Sequence, residues 1–283
     1  MSEAFDLCTI EPRFVAEITG LQLNQRVSAP TIEAIKTAWA QHPVLVFPDQ
    51  PFDATELATF ACNLGDFGVD PYVNPIENHD HVIEVRREPA ESTPIFGASW
   101  HSDWSFQAAP PSGTLLHAQT VPPVGGDTLF ADCHRAYESL PAQLKLDLLD
   151  LRASHSAARA YGPEGLFAKD DPSRSMQIVT SPDAKKMEIH PMVRTHAVTG
   201  RRGLFINHVY TIEIVDMERV KGRALLKFLF EHMTRDEFVY EHEWREDMLT
   251  LWDNRCVLHY ARGGYDGYQR VMYRTTLAGE RPA

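Results

Sequence analysis

The chain is poor in the residues and runs that mark several large classes of protein. Its four cysteines are widely scattered and form no C-x-x-C pair, which argues against a disulfide framework, a zinc ribbon or a thioredoxin motif. Its apolar runs are far shorter than the roughly 20 residues that cross a bilayer. Its first residues also lack the basic and apolar regions of a secretory signal. The sequence therefore predicts a cytoplasmic protein that does not enter a membrane.

Positive charge is also scarce. The 283 residues include 27 lysines and arginines against 39 acids, which gives a formal net charge of −12. A non-specific nucleic-acid binder needs a basic surface, so we expect no nucleic-acid partner. The same shortage argues against binding to an anionic membrane surface. A small acidic substrate is still compatible with this composition, because a few buried arginines set the charge inside a pocket.

No internal repeat, low-complexity tract or glycine/serine linker divides the chain. We predict one domain over residues 1–283, mainly β with flanking helices and folded as a double-stranded β-helix, or jelly roll. The predicted helices cover about residues 31–40, a stretch capped by Asp53 and Glu56, and a stretch that starts at Asp216. The polar segment near residues 160–190 is typical of a lid or a disordered loop. The predicted strands cover residues 44–47, 82–85, 113–119, 193–196, 203–207, 238–243, 248–252 and 271–277.

Three residues form a candidate metal site. His101 and Asp103 lie in the motif WHSD, and His259 lies shortly after the motif WDNR. On a strand, residues at i and i+2 point to the same face, so we expect His101 and Asp103 to project together. Two imidazoles and one carboxylate are the ligands of the facial triad of non-haem Fe(II), which leaves other positions open. If the three residues converge, the protein activates oxygen.

Further motifs carry a family resemblance. They are WHSD, the segment GGDT that ends at Thr128, HPMVRTH, WDNR, and RVMYRTT with Arg270 and Arg274. Taken in this order, they resemble the Fe(II)- and 2-oxoglutarate-dependent dioxygenases of the taurine dioxygenase and 2,4-dichlorophenoxyacetate dioxygenase family, over nearly the whole chain. The resemblance implies a jelly-roll core and an enzyme that oxidises a small organic acid while 2-oxoglutarate is decarboxylated to succinate and CO2.

The resemblance also implies a role for each site residue. His101, Asp103 and His259 would bind Fe(II), and O2 and 2-oxoglutarate would take the open positions. Arg270, with the hydroxyl of Thr128, would bind the far carboxylate of 2-oxoglutarate, since a guanidinium matches a carboxylate with two parallel hydrogen bonds. Arg274 would hold the acidic head of the substrate. Members of this family are commonly dimers or tetramers, so a homo-oligomer is expected.

The substrate is less closely defined. Where the taurine enzyme carries a histidine and a tyrosine in His-Pro-x-Tyr, this chain has Asp70 and Val73, and Gly97 replaces an asparagine. These departures argue against taurine, and an Asp70 that faced the pocket would favour an amino group. Segments such as RREPAES and HAVTGRR resemble the phenoxypropionate dioxygenase branch instead. We therefore expect an aryloxyalkanoate-like or related carboxylate, with a taurine-type sulfonate as the alternative.

Two interpretations outside this family stay open at the level of sequence. A non-catalytic jelly-roll binding module would be expected to lack at least one of the five residues assigned to the metal and to 2-oxoglutarate, yet all five are present. A zinc hydrolase would use a similar histidine and aspartate set but would not need Arg270.

Overall fold

The computed structural model describes residues 5–169 and 171–283, and β-strands form its centre. The strands of these residues are, in chain order, β1 (Asp6–Ile10), β2 (Val15–Thr19), β3 (Val44–Phe47), β4 (Ile83–Arg87), β5 (Gly113–Thr120), β6 (Thr128–Asp132), β7 (Arg152–Ser156), β8 (Met187–Pro191), β9 (Val193–Thr195), β10 (Arg202–Leu204), β11 (Thr211–Ile214), β12 (Val239–His242), β13 (Leu249–Asp253), β14 (Val257–Ala261) and β15 (Arg270–Leu277). The α-helices are α1 (Ala29–Gln41), α2 (Ala54–Leu64), α3 (Cys133–Glu138), α4 (Ala142–Leu148), α5 (Ala158–Tyr161) and α6 (Arg219–Met233).

Two sheets form the mainly-β jelly roll that the sequence predicted. The larger has seven strands in the order β1-β2-β3-β13-β5-β15-β4, and a three-stranded sheet has the order β12-β6-β14. Smaller groups are β11-β7-β8 and β10-β9. Successive side chains of a strand point to opposite faces, and β3 is buried on both. Val44 and Val46 pack with Phe130 of the three-stranded sheet, while Leu45 and Phe47 belong to a separate core cluster that includes residues of α1 and α2.

The first two predicted helices are present, and α1 begins at Ala29, slightly before the predicted start near residue 31. Ser28 caps α1, and a capping box joins Asp53 to Glu56 at the start of α2. The prediction that Asp216 begins the third helix was wrong. Asp216 has a φ of +57° and lies in the turn before the helix, which begins at Arg219 after Glu218. None of the helices in the described ranges is long and apolar enough to cross a membrane.

The segment near residues 160–190 is more ordered than one open loop. Its described residues include the end of α5, a 3-10 turn at Pro182–Lys185 and most of β8, which pairs with β7. Asp170 lies outside the described residues. Leu166 and Phe167 from this segment line a cavity beside the candidate metal ligands. A lid function for the segment stays a prediction.

Candidate metal centre

The structure brings His101, Asp103 and His259 together. Each offers one ligand atom, and these atoms lie within 4.8 Å of one another. Oδ1 of Asp103 is 3.7 Å from Nε2 of His101 and 3.7 Å from Nε2 of His259. All three residues are buried. The spacing leaves room for one divalent ion between two imidazoles and a carboxylate.

The backbone reaches this arrangement by a different route from the predicted strand. His101 makes only an isolated bridge to His259 of β14, with its N–H 3.0 Å from the carbonyl of His259 and the reverse bond at 2.8 Å. Asp103 lies in a turn, and the next residue, Trp104, has a φ of +46°. The prediction that His101 and Asp103 share a strand face was therefore wrong, because the chain turns before a second strand pair can form.

Neighbouring groups orient two of the candidate ligands. Nδ1 of His101 donates to the carbonyl of Ser99 at 2.7 Å, which leaves a lone pair on Nε2. The hydroxyl of Thr114 donates to Oδ2 of Asp103 at 2.6 Å, so Oδ1 is the oxygen that faces the histidines. Asn254 accepts from the backbone N–H of Asp103 at 3.1 Å and donates to Thr114 at 2.8 Å. The sequence around Asn254 did not predict this support.

Burial and charge set the ionisation that a metal site requires. Burial lowers the pKa of His101, and burial together with His101 lowers the pKa of His259. Burial alone would raise the pKa of Asp103, but Arg274 and the two histidines hold it well below the usual range. Neutral imidazoles beside an ionised carboxylate are the form that binds a divalent cation, so these residues fit a resident metal.

Arg270 begins β15 and Thr128 begins β6, and the side chain of Trp244 contacts both residues. The guanidinium of Arg270 is buried, its Nε has no hydrogen-bond partner, and no carboxylate of the described residues forms an ion pair with it. Burial lowers the pKa of Arg270. Nε1 of Trp244 donates to the Thr128 hydroxyl oxygen at 3.0 Å, so the hydroxyl proton is available to another acceptor. A buried cation without an acid is costly, so this pair of residues fits an anionic ligand.

A glycine shapes the backbone beside this pair. Gly126 has a φ of +79°, and a Cβ there would lie 3.2 Å from Nε of Arg270. Only a residue without a side chain meets both conditions easily. The GGDT segment therefore has a steric reason for its glycine next to the unpaired guanidinium.

Arg274 differs from Arg270 because it already contacts two acids. One of its terminal nitrogens bonds Asp70, and NH2 lies 3.0 Å from Oδ1 of Asp103. The Asp70 carboxylate also accepts from Nε1 of Trp104 at 2.6 Å and from Thr276 at 3.2 Å. These three contacts leave Asp70 little capacity for an amino group. The substrate roles predicted for Arg274 and Asp70 stay predictions.

Gly97, the third predicted substrate residue, lines a cavity of about 500 Å³ that reaches His101 and Asp103. Its φ is +81°, and a Cβ there would lie 3.5 Å from Cε1 of His101. Sequence reasoning missed most of the cavity wall, because the segments that supply it carry no recognisable motif. These missed wall residues include Phe96, Arg159, Tyr161, Phe167 and Tyr210.

A second buried cluster contains the same residue types but is closed. His196, Asp253 and Cys256 offer atoms within 4.8 Å of one another. Nδ1 of His196 accepts two backbone N–H groups at 3.2 Å, and its Nε2 donates to Asp253 at 2.9 Å. Arg255 contacts both oxygens of Asp253, and burial holds the pKa of Cys256 well above its usual value. Neither nitrogen of His196 is free, and the thiol stays protonated, so this cluster is structural.

Comparison with known proteins agrees with this geometry. Residues 7–276 match the family model described as "Taurine catabolism dioxygenase TauD, TfdA family". An alpha-ketoglutarate-dependent 2,4-dichlorophenoxyacetate dioxygenase of Burkholderia sp. (strain RASC) is 32% identical, over 96% of this chain and 94% of that protein. An alkylsulfatase of Acinetobacter baylyi is 31% identical, over 99% of this chain and 86% of that protein. The crystal structure of a taurine dioxygenase from Burkholderia xenovorans superposes with a TM-score of 0.81, at 28% identity, covering 99% of this chain and 91% of that chain.

Proposed function

This chain belongs to the taurine catabolism dioxygenase TauD, TfdA family and is an alpha-ketoglutarate-dependent dioxygenase, and we propose that it hydroxylates a small carboxylic acid with an aromatic or apolar body, of the aryloxyalkanoate kind. The family relation sets aside the zinc hydrolase and the non-catalytic module. The observation that carries the substrate proposal is the cavity beside His101 and Asp103, whose walls are largely aromatic and aliphatic.

The proposed assignment gives each residue a task. His101, Asp103 and His259 would hold Fe(II), and Arg270 with Thr128 would bind the far carboxylate of 2-oxoglutarate. When bound, Fe(II), 2-oxoglutarate and O2 supply the oxidising chemistry. The protein's own contribution is to hold the neutral imidazoles and the ionised carboxylate in place, to orient the co-substrate through Arg270, and to exclude water from the target C–H bond.

The cavity favours a substrate with an apolar body. Phe96, Trp104, Tyr161 and Phe167 supply aromatic surface, and Ile95 adds an aliphatic side chain. A volume of about 500 Å³ is within the range of ligand pockets and suits a substituted aromatic ring. A taurine-type sulfonate, small and polar at both ends, would leave most of this surface without a partner. Sulfonates and alkyl sulfates are the alternative substrates, because relatives are named for them.

A substrate panel tests this proposal. The protein would be supplied with Fe(II), ascorbate and 2-oxoglutarate and offered phenoxyacetate, 2-phenoxypropionate, taurine and a medium-chain alkyl sulfate. We expect succinate release coupled to consumption of a phenoxy acid, measured by chromatography of both products. Rapid coupled turnover of taurine or of the alkyl sulfate, with none of the phenoxy acids, would contradict it.

Three further proposals concern the whole chain. We propose that residues 1–283 act as one domain, since β1 and β15 lie in the same sheet. We also propose a homo-oligomer, a dimer or a tetramer, in the cytoplasm. Light scattering of the purified protein tests the assembly, and fractionation of cells that express it tests the location.

A further inference from the structure

Arg274 and Arg159 differ in the number of acids that already contact them. Arg274 lies between Asp70 and Asp103, whereas Arg159 lines the same cavity as the candidate metal ligands. We infer that the acidic group of the substrate binds Arg159 at the mouth of the cavity, and that Asp70 is a specificity-determining residue because it occupies Arg274. This inference rests on the proposed function, since it concerns an organic acid in this cavity.

Arg274 already has acid partners, so it is not an unpaired cation for a substrate. One guanidinium faces two carboxylates, and burial strengthens their mutual attraction. Asp70 is fixed in this position by Trp104 and Thr276, so it is not a side chain that moves away freely. An acid placed here would compete with Asp70 and would be repelled by it. A neutral, apolar part of the substrate meets no such penalty near the metal ligands.

Arg159 offers what Arg274 lacks. Its NH1 donates to the carbonyls of His208 and Thr211, at 3.1 and 3.0 Å, which fixes the guanidinium by one nitrogen. No residue in the described ranges accepts from its Nε or NH2, or forms an ion pair with it. That edge presents two parallel N–H groups, the geometry that binds a carboxylate in bidentate fashion. Arg159 is partly buried by its neighbours and partly exposed at the surface, so a substrate reaches it from solvent.

The surroundings of Arg159 support an anion. Among the described residues that line the cavity, Arg159 is the only lysine or arginine. Burial and the neighbouring Arg223 lower its pKa, as expected for a cation that no carboxylate compensates. An adjacent groove that Arg159 shares is also lined by Arg219, Arg223 and Lys227 and by two acids, Glu213 and Glu231, so its basic residues outnumber its acids. This local positive charge contrasts with the net charge of −12 and would attract an acid to the cavity mouth.

Comparing the binding of an acid with that of its neutral analogue tests whether Arg159 binds the acidic group. The probes are 2-phenoxypropionate and 2-phenoxypropionamide, titrated calorimetrically into anaerobic protein loaded with Fe(II) and 2-oxoglutarate. We expect the wild type to prefer the acid and Arg159→Gln to lose this preference, with acid affinity falling by about tenfold or more. Arg159→Lys should restore part of it. The matched control is Arg235→Gln, which removes the same charge from an exposed arginine that pairs with Glu237 and does not line the cavity or the adjacent groove, and it should retain the preference.

A variant in which Asp70 no longer pairs with Arg274 tests the role of Asp70. Asp70→Asn removes one carboxylate and should let Arg274 bind a small anion, so ethanesulfonate should bind this variant about tenfold more tightly than it binds the wild type. Asp80→Asn, an exposed change of the same charge, should have no effect. Near-UV circular dichroism of each variant checks that the fold is kept.

The outcomes separate this inference from the proposed function. If phenoxy acids are turned over but Arg159→Gln keeps the preference for acid over amide, Arg159 does not bind the acidic group and the proposed function stands. If wild-type protein already binds ethanesulfonate and Arg274→Gln abolishes this, Asp70 does not block Arg274. If no phenoxy acid supports succinate release, the proposed function fails whatever the binding data show.

Discussion

The two buried clusters of histidine and aspartate have similar residue types, but only one of them has ligand atoms free to bind a metal ion. In the cluster around Asp253, His196 uses both ring nitrogens and Arg255 contacts both carboxylate oxygens. In the cluster around Asp103, the Nε2 atoms of both histidines and one carboxylate oxygen face one another with no hydrogen bond between them. Ligand residue types in proximity are therefore not sufficient for a metal site. Ligand atoms must also remain free of other partners.

The largest expected effect comes from replacing one histidine of each cluster by alanine, in separate variants. His259→Ala removes a proposed ligand, so Fe(II) retention and coupled succinate release should fall by more than about 100-fold, beyond the usual loss from a supporting residue. His196→Ala should leave iron retention unchanged and lower the free energy of unfolding by about 1–3 kcal/mol. Anaerobic dialysis against Fe(II) and urea unfolding measure the two quantities. Equal iron loss in both variants would end the distinction between the clusters.

The closed cluster should carry more of the stability. Asp253→Asn leaves the buried Arg255 without its main acid, and breaking such a pair costs about 3–5 kcal/mol. Urea unfolding at pH 7 measures the change, with the exposed substitution Asp80→Asn as the control. A loss below 1 kcal/mol would show that Glu280, whose carboxylate is 4.0 Å from Arg255, takes over the pairing.

Next in size is the effect of removing the unpaired guanidinium beside the open cluster. Arg270→Gln should raise the KM for 2-oxoglutarate by roughly 30-fold, or about 2 kcal/mol, because a charged hydrogen-bond partner is lost. Thr128→Val should raise it by only about fivefold, about 1 kcal/mol, since one neutral donor is lost. The control is Arg262→Gln, a surface residue paired with Glu241. Initial rates at varied 2-oxoglutarate check this, and an unchanged KM for Arg270→Gln would remove its proposed role.

The smallest expected effect is on acid stability. Burial would raise the pKa of Asp253, but Arg255 and His196 hold it well below its usual value near 4. A group whose pKa is depressed by folding contributes stability above its unfolded pKa and loses it as the pH falls. The stability gap between wild type and Asp253→Asn should therefore narrow below about pH 4, by about 1 kcal/mol at pH 3. Urea unfolding at several pH values tests this, and a constant gap would contradict the coupling.

The sequence was informative where residue type and local pattern decide the outcome. The capping box at Asp53 and the buried strand at residues 44–47 were found where local rules placed them. The convergence of His101, Asp103 and His259 was also expected, although Asp103 reaches the site from a turn. The strand β6 was missed. It is the central strand of the three-stranded sheet, and its burial depends on β12 and β14, which are distant in the sequence.

Contacts between distant segments were beyond the sequence. No local sequence pattern predicts that Asp70 contacts Arg274 or that Arg159 lines the cavity, because each contact depends on the packing of loops around the sheets. The start of α6 was misplaced for a similar reason. Asp216 has the side chain of a good cap, but its backbone is in the left-handed region, where a helix cannot begin.

The fluorescence of Trp104 reports on the ion pair between Asp70 and Arg274. Its indole N–H bonds Asp70, and its ring lies 5.4 Å from the guanidinium carbon of Arg274. Indole emission shifts with the charges beside the ring. Substitution or displacement of Asp70 would thus shift the emission wavelength of the protein's own fluorescence, with no added dye. The side chain that holds the carboxylate in place is also a sensor of whether that carboxylate is still there.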